Sequence, residues 1–522
     1  MQWIKHIPTA VIFVFMLTAC GKKNEREPNV FRMAITAEPP TLDWSLATDN
    51  VSFDILTNLM EGLAQYNAKL EAIPAVAKSW KFSDDKKTIT FHLRDDVFWT
   101  DGKPLTAADF EYSWKRLLNP TTAAEYAYFL FDVENAKEYN SGVIKDPERL
   151  GIKALSSYVL QVKLKRPAVY FPSIVTFMAT FPQRRDLIEK YGDHWTDPKN
   201  IITNGPFTLQ EWKHEYKLEL KANPNYYGSK PDLKKVIAYV VEEATTGLTL
   251  YETGELDLVK LPPVGIPRYR NHPEYQNIPL LRGYYFGFSV NQKPFDDPRV
   301  RRAFAHSVDR SRIPDILKGG ELPIASWIPK GMFGFNPEIG AHFDPIKARQ
   351  ILDNAGYPNG QGFPTVQVAY NTDQTNRLVA EFIQNQWKKN LNVSVELESQ
   401  EWKVFLSRLK SNPPQIFRLG WGADFPDPDN FMNLFISASG NNHLSWSHSH
   451  YDRLIIEGAE ERNPIKRKQI YDKAQKILTE KEAAIIPLFI ATQNIMVKSY
   501  IKGFVPNAME LIYWKNIQIE NK

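Results

Sequence analysis

Three imidazoles fall within eight residues, at His443, His448 and His450. That spacing could hold Zn²⁺ or Ni²⁺. Their serine and asparagine surroundings read equally well as a polar loop, and no cysteine lies nearby. Three carboxylates, Asp424, Asp427 and Asp429, crowd a second loop. An EF-hand reading fails there for want of its glycine and distal glutamate. Pro426 and Pro428 hold that loop extended, so its acids are open to helix capping or to solvent. Two Ser-x-x-Lys strings, at 83–86 and 407–410, carry the residue types of a serine acyl-transfer enzyme. Strict S-D-N and K-T-G partners do not follow either of them. Neither G-x-S-x-G, nor a phosphate-binding G-x-x-x-x-G-K-[ST] loop, nor H-E-x-x-H occurs. We therefore expect no catalytic residues, no cofactor, no resident metal and no enzyme.

The elements that must position such groups alternate between two periods. Residues 88–93 (TITFHL) put Ile89, Phe91 and Leu93 on one face, a half-buried strand, and 160–164 repeat the pattern. Thr106 with Asp109 reads as an N-terminal capping pair, and Phe110, Trp114, Leu117 and Leu118 form a helical stripe that Asn119-Pro120 stops. Asp344-Pro345 opens a second helix over 346–354, which Gly356 ends. Further on, strand 366–368, helix 376–389 and strand 393–397 make a βαβ unit, so part of a sheet must be parallel. Stretches rich in proline and glycine at 259–267, 319–340 and 356–364 read as surface connections. The body is α/β.

Composition narrows the class. The chain has 522 residues, 43% hydrophobic and 24% charged, which excludes wholesale disorder. That length predicts about three domains, each with its own core. Lys+Arg number 64 against 60 Asp+Glu, too even a balance for a nucleic-acid binder. A single cysteine forbids any internal disulfide.

That cysteine is informative by position. Residues 7–19 form an uncharged, mostly apolar run of thirteen, too short for a bilayer, which takes roughly 17–25 residues, but fitting the core of a secretory signal. Leu17-Thr18-Ala19-Cys20-Gly21 resembles a bacterial lipoprotein processing site. The resemblance implies a signal peptide over 1–19, lipidation of Cys20 and a polar tether over 20–29. The mature protein would be extracytoplasmic, in the periplasm or on the outer face of the cell membrane, attached by its lipid anchor.

Residues 77–114 (AKSWKFSDDKKTITFHLRDDVFWTDGKPLTAADFEYSW) resemble the signature region of the bacterial extracellular solute-binding proteins, family 5, that serve peptide transporters. Ordered matches follow at 202–209 (ITNGPFTL), 291–304 (NQKPFDDPRVRRAF), 344–357 (DPIKARQILDNAGY), 400–406 (QEWKVFL) and 420–428 (GWGADFPDP). YNT at 370–372 and QEW at 400–402 are most similar to the oligopeptide-binding branch. The resemblance implies a two-lobed periplasmic-binding-protein-like α/β fold with ligand enclosed at the lobe interface. Lobe I would comprise 30–50, 199–281 and 492–522, an inserted domain 51–198, and lobe II 282–491. The implied function is capture of peptides, largely independent of sequence, and delivery to the permease subunits of an ABC importer by a monomer.

Site residues follow by the same resemblance. Asp424 of W-x-x-D would pair with the peptide's α-ammonium. The main chain of Gly420, Trp421 and Gly422, together with Glu38, would flank the peptide backbone. Tyr112 and Trp402 would supply polar-aromatic contacts, and Arg418 would meet a ligand carboxylate. Core packing is the competing role for Trp402 and Trp421, and a structural ion pair for Arg418. Pro39-Pro40 removes main-chain donors after Glu38, Gly287 stands where these binders often carry an acid, and Arg282 and Gly422 stand where some carry cysteines. Two alternatives stay open: the same fold holding a metal chelate, haem or glycan fragment, and a serine hydrolase.

Overall fold

The computed structural model describes residues 27–520. The expected signal peptide over 1–19 and lipidated Cys20, with most of the expected tether over 20–29, lie outside those residues. Among the described residues no helix is long and apolar enough to cross a membrane.

An eleven-stranded mixed sheet runs through the molecule. From one edge its order is Val395–Gln400, Val366–Asn371, Ile416–Gly422, Tyr275–Phe288, Ile485–Val497, Leu258–Lys260, Val30–Ile35, Lys235–Val240, Lys217–Ala222 and Phe207–Lys213. The two-residue strand Leu322–Pro323 pairs with Ile485–Val497. Pairing of Val366–Asn371 with Val395–Gln400 is parallel across the helix Gln374–Leu391, as the βαβ pattern requires. Two long strands, Tyr275–Phe288 and Ile485–Val497, join the halves. Their ladder is regular from Tyr275 to Pro279, then shifts register before Gly283 and again between Tyr284 and Tyr285. A β-bulge of this kind bends a strand and raises its local twist. The two sheet halves therefore turn relative to each other near Pro279–Gly283 and Ile490–Thr492.

A separate four-stranded antiparallel sheet lies within 51–198, in the order Ala77–Phe82, Thr88–Leu93, Val159–Lys163, Ile152–Ser156. The helix Ala107–Leu118 packs beside it, opened by the capping box of Thr106 and Asp109. Its Phe110, Trp114, Leu117 and Leu118 are all buried. That helix is only part of the sheet's apolar cover. The rest comes from 30–50 and 199–281, and one hydrophobic core runs continuously through these segments. Polar contacts reinforce the junction: Arg116 grips buried Asp43 with Nη2–Oδ2 at 2.6 Å, and Trp195 Nε1 donates to the same carboxylate. The half of the chain around 282–491 instead fills both faces of its sheet, giving two cores.

Two of the stretches read as surface connections are not. Residues 259–267 hold part of the strand Leu258–Lys260 and bury Val259, Leu261 and Ile266 in a small core of their own. Within 319–340, Trp327 and Ile328 are fully buried, and Trp327 Nε1 donates to the Phe431 carbonyl. Proline and glycine marked irregular backbone in both, but irregular backbone can still carry apolar side chains inward.

Candidate functional site

The strand Ile416–Gly422 carries four of the residues singled out from sequence. One edge pairs fully with Tyr275–Phe288, with Gly422 opposite Arg282, Trp421 opposite Gly283 and Gly420 opposite Tyr284. On the other edge, parallel pairing with Val366–Asn371 ends at Phe417. Among the described residues that edge is free of strand pairing from Arg418 onward, so its main-chain donors and acceptors are a template for an added extended chain. At Gly420 a Cβ would stand 2.8 Å from the Gly283 carbonyl oxygen, so the close approach of the two backbones requires glycine. Gly287 is equally confined: a side chain there would collide with Leu444 and Phe417, which leaves no room for an acid.

After the strand the chain turns through Ala423 to Asp424. Asn430 organises this turn. Its Oδ1 accepts from Trp421 Nε1 at 2.9 Å and from the Asp424 amide at 3.1 Å, while its Nδ2 reaches Asp424 Oδ2 at 3.4 Å. Asp424 Oδ2 also accepts from the Tyr128 hydroxyl at 2.9 Å. Burial pushes the Asp424 carboxyl up to about 6, and the hydrogen bonds from Tyr128 and Asn430 hold it from rising further. Among the described residues no Lys, Arg or His nitrogen comes within 4 Å of its oxygens. The three aspartates of this loop thus differ in role. Asp427 caps the helix Pro428–Met432 and pairs with Arg467 through both oxygens, at 2.7 and 2.8 Å. Asp429 is buried, and burial together with the charge of Asp427 lifts it to about 7.

Asp424 and Gly422 line a cavity of about 130 Å³. Its walls come from the helix Asn50–Leu59 through Phe53, from the 51–198 segment through Tyr126 and Phe177, and from the C-terminal segment through Glu510. The other charged pair in it is self-neutralised: Arg282 Nη2 meets Glu510 Oε2 at 2.6 Å. Asp424 is therefore the uncompensated charge of the cavity, and a cationic group is its electrostatic complement. A larger concavity of about 440 Å³ shares the walls Tyr66 and Tyr513.

Arg418 lies on the same strand, its guanidinium 4.2 Å from the Tyr284 ring centroid, with Nη1 donating to Asn371 Oδ1 at 3.2 Å. No carboxylate pairs with it among the described residues, and its Nε is buried without a partner. It is a cation held by neutral groups beside the open strand edge. The remaining candidates stand apart from the cavity. Glu38 is engaged by the hairpin Phe207–Ala222: Trp212 Nε1 donates at 2.7 Å and the Glu215 amide at 3.0 Å, with His214 Nδ1 at 2.5 Å. Burial alone would raise its carboxyl, but these donors hold it below the usual value. Tyr112, on the Ala107–Leu118 helix, faces the Arg185 guanidinium at 6.0 Å. Trp402 opens the helix Trp402–Ser411 and is 44% exposed, tilted against Phe405. Of the histidines, His448 spends Nδ1 as the N-cap of Ser449–Glu460, and no metal-holding group of three side chains converges among the described residues.

Sequence reasoning missed Tyr128, Asn430 and the Arg282–Glu510 pair. Tyr128 stands 296 residues from Asp424; its only signal was the aromatic run EYAYFLF at 125–131. Asn430 follows a D-P-D string typical of a helix start, where a positioning amide has no distinctive spacing.

Comparison with known proteins places this geometry. Residues 71–443 match the model for bacterial extracellular solute-binding proteins, family 5. The oligopeptide-binding protein OppA of Bacillus subtilis is 31% identical, with 97% of each chain covered. Among solved structures, a periplasmic oligopeptide-binding protein from Borrelia burgdorferi has TM-score 0.78 and 33% identity over 94% of this chain and all of that one. Haemophilus influenzae OppA in complex with RPPGFSPFR has TM-score 0.77 and 29% identity over 95% and 99% of the two chains. The large sheet with its paired crossing strands is thus the periplasmic-binding-protein fold, and the chain belongs to the bacterial extracellular solute-binding proteins of family 5.

Proposed function

We propose that this protein captures peptides between its two sheet halves and hands them to an ABC importer, without catalysing a reaction. The single observation that carries this reading is Asp424: a carboxylate lining a cavity, held by two neutral donors and, among the described residues, lacking a cationic partner. A peptide's α-ammonium supplies that partner. The free edge of Arg418–Gly422 supports main-chain pairing with the residues that follow, and Arg418 supports a place for the ligand's terminal carboxylate. The family match and the peptide-binding names of the similar proteins agree with it. Lobe I would comprise 30–50, 199–281 and 492–522, with 51–198 inserted and 282–491 forming lobe II. The register shift near Pro279–Gly283 supports a hinge at the junction. Attachment to a membrane through Cys20, action as a monomer and docking on permease subunits complete the proposal.

Native mass spectrometry after incubation with a mixed di- to pentapeptide library tests it. Retained peptides with free amino termini support the reading, and a protein that retains none contradicts it. Affinity should also depend on pH in a definite sense. Binding needs Asp424 ionised, above about 6, and the ligand amine protonated, below about 8. Calorimetry across pH 4–9 is expected to give a plateau between these limits, with affinity falling about tenfold per pH unit on the acid side. Arg418→Ala should weaken tripeptides by about 1–3 kcal/mol but leave their C-terminal amides nearly unchanged, a contrast that paired titrations resolve.

A further inference from the structure

We propose that Tyr128 is a positioning residue of the ammonium site: its hydroxyl pins Asp424 Oδ2, leaving Oδ1 as the acceptor for the ligand. This rests on the assignment of Asp424 to the ligand's ammonium. Both protein donors, Tyr128 at 2.9 Å and Asn430 at 3.4 Å, converge on Oδ2. Among the described residues Oδ1 receives no hydrogen bond, yet it is not among the buried polar atoms left without a partner, so it stays open to solvent on a residue that lines the cavity. A carboxylate turns readily about its terminal torsion. Fixing one oxygen directs the other before the ligand arrives, and the ligand then loses less in ordering the site.

The phenol is itself held in place. Its ring stacks on Tyr126 at 5.7 Å and 28° and tilts against Phe129 at 5.3 Å. Tyr128 also acts on charge, because its hydrogen bond favours the ionised carboxylate and opposes the rise caused by burial. The other groups facing the acid do not duplicate this. Asn430 is a neutral amide at a longer distance, and Arg282 and Glu510 neutralise each other across the cavity. Asp49, near Tyr126, is occupied by the cap of the helix Asn50–Leu59.

Tyr128→Phe keeps the ring and removes the hydroxyl. Two measurements on the full-length protein decide the matter. The first follows the Asp424 carboxyl by ¹³C NMR titration without ligand; in the variant its midpoint should move up from about 6. The second is calorimetry with Ala-Ala-Ala; affinity at pH 7.5 should fall about tenfold, and the acid limb of the binding profile should move up with the NMR midpoint. An unmoved midpoint, or an affinity loss equal at every pH, marks a merely structural role and overturns the proposal. Unchanged affinity does the same. If the unaltered protein binds no peptide, the peptide reading itself fails, and the ligand-free titration still decides whether Tyr128 sets the charge of Asp424.

Discussion

Asp424→Ala is expected to weaken peptide binding by about 2–5 kcal/mol, the range found when one partner of a buried charged pair is removed. That corresponds to roughly 30- to 4,000-fold in Kd. The size follows from the surroundings. Among the described residues the cavity holds one other carboxylate, Glu510, and Arg282 already pairs with it. An ammonium entering the variant would be stripped of water with no anion to meet it. Asp424→Asn should recover little, since it keeps the shape and the bond to Tyr128 but restores no charge. Calorimetry at pH 7.5, with circular dichroism to confirm folding, gives the answer. An affinity within threefold of the unaltered protein would place the ammonium elsewhere.

The second large effect concerns stability. Arg467→Ala should destabilise the protein by about 3–5 kcal/mol. Its guanidinium is buried and meets both oxygens of Asp427 while donating to the Gly458 carbonyl at 2.8 Å. Removing it strands a buried carboxylate three residues from Asp424 and next to Pro428, where the helix that carries Asn430 begins. Chemical denaturation should show the loss in full, whereas Arg467→Met with Asp427→Leu should recover much of it by replacing the pair with apolar volume. Because Asn430 positions Trp421 and Asp424, the single variant should also bind peptide more weakly before it unfolds.

Much of the frame was legible because it depends on local rules. The Thr106–Asp109 capping box and the alternation in Thr88–Leu93 each need only a few neighbouring residues, and both elements formed as expected. The βαβ unit was legible for the same reason, although Gln374–Leu391 extends beyond the predicted 376–389 at both ends. Trp327 and Leu261 were misplaced because punctuation by proline and glycine reports backbone shape and says nothing about burial. The site divided along the same line. Gly420, Trp421, Gly422 and Asp424 share one strand and turn, so a motif could carry them together. What separates Asp424 from Asp427 is not their spacing but the arrival of Arg467 at one and Tyr128 at the other. Those partners come from distant parts of the chain, and only packing brings them in. Glu38 illustrates the converse: its neighbours in sequence gave no sign that Trp212 and His214 would engage its carboxylate.

The central claim is that an uncompensated carboxylate recognises the ligand's free amino terminus. The most direct measurement compares the affinities of Ala-Ala-Ala and N-acetyl-Ala-Ala-Ala for the unaltered protein by calorimetry at pH 7.5. The account predicts that acetylation, which replaces the charged ammonium with a neutral amide bearing a small acetyl group, costs at least about 30-fold in affinity. Equal affinities for the two peptides would contradict it.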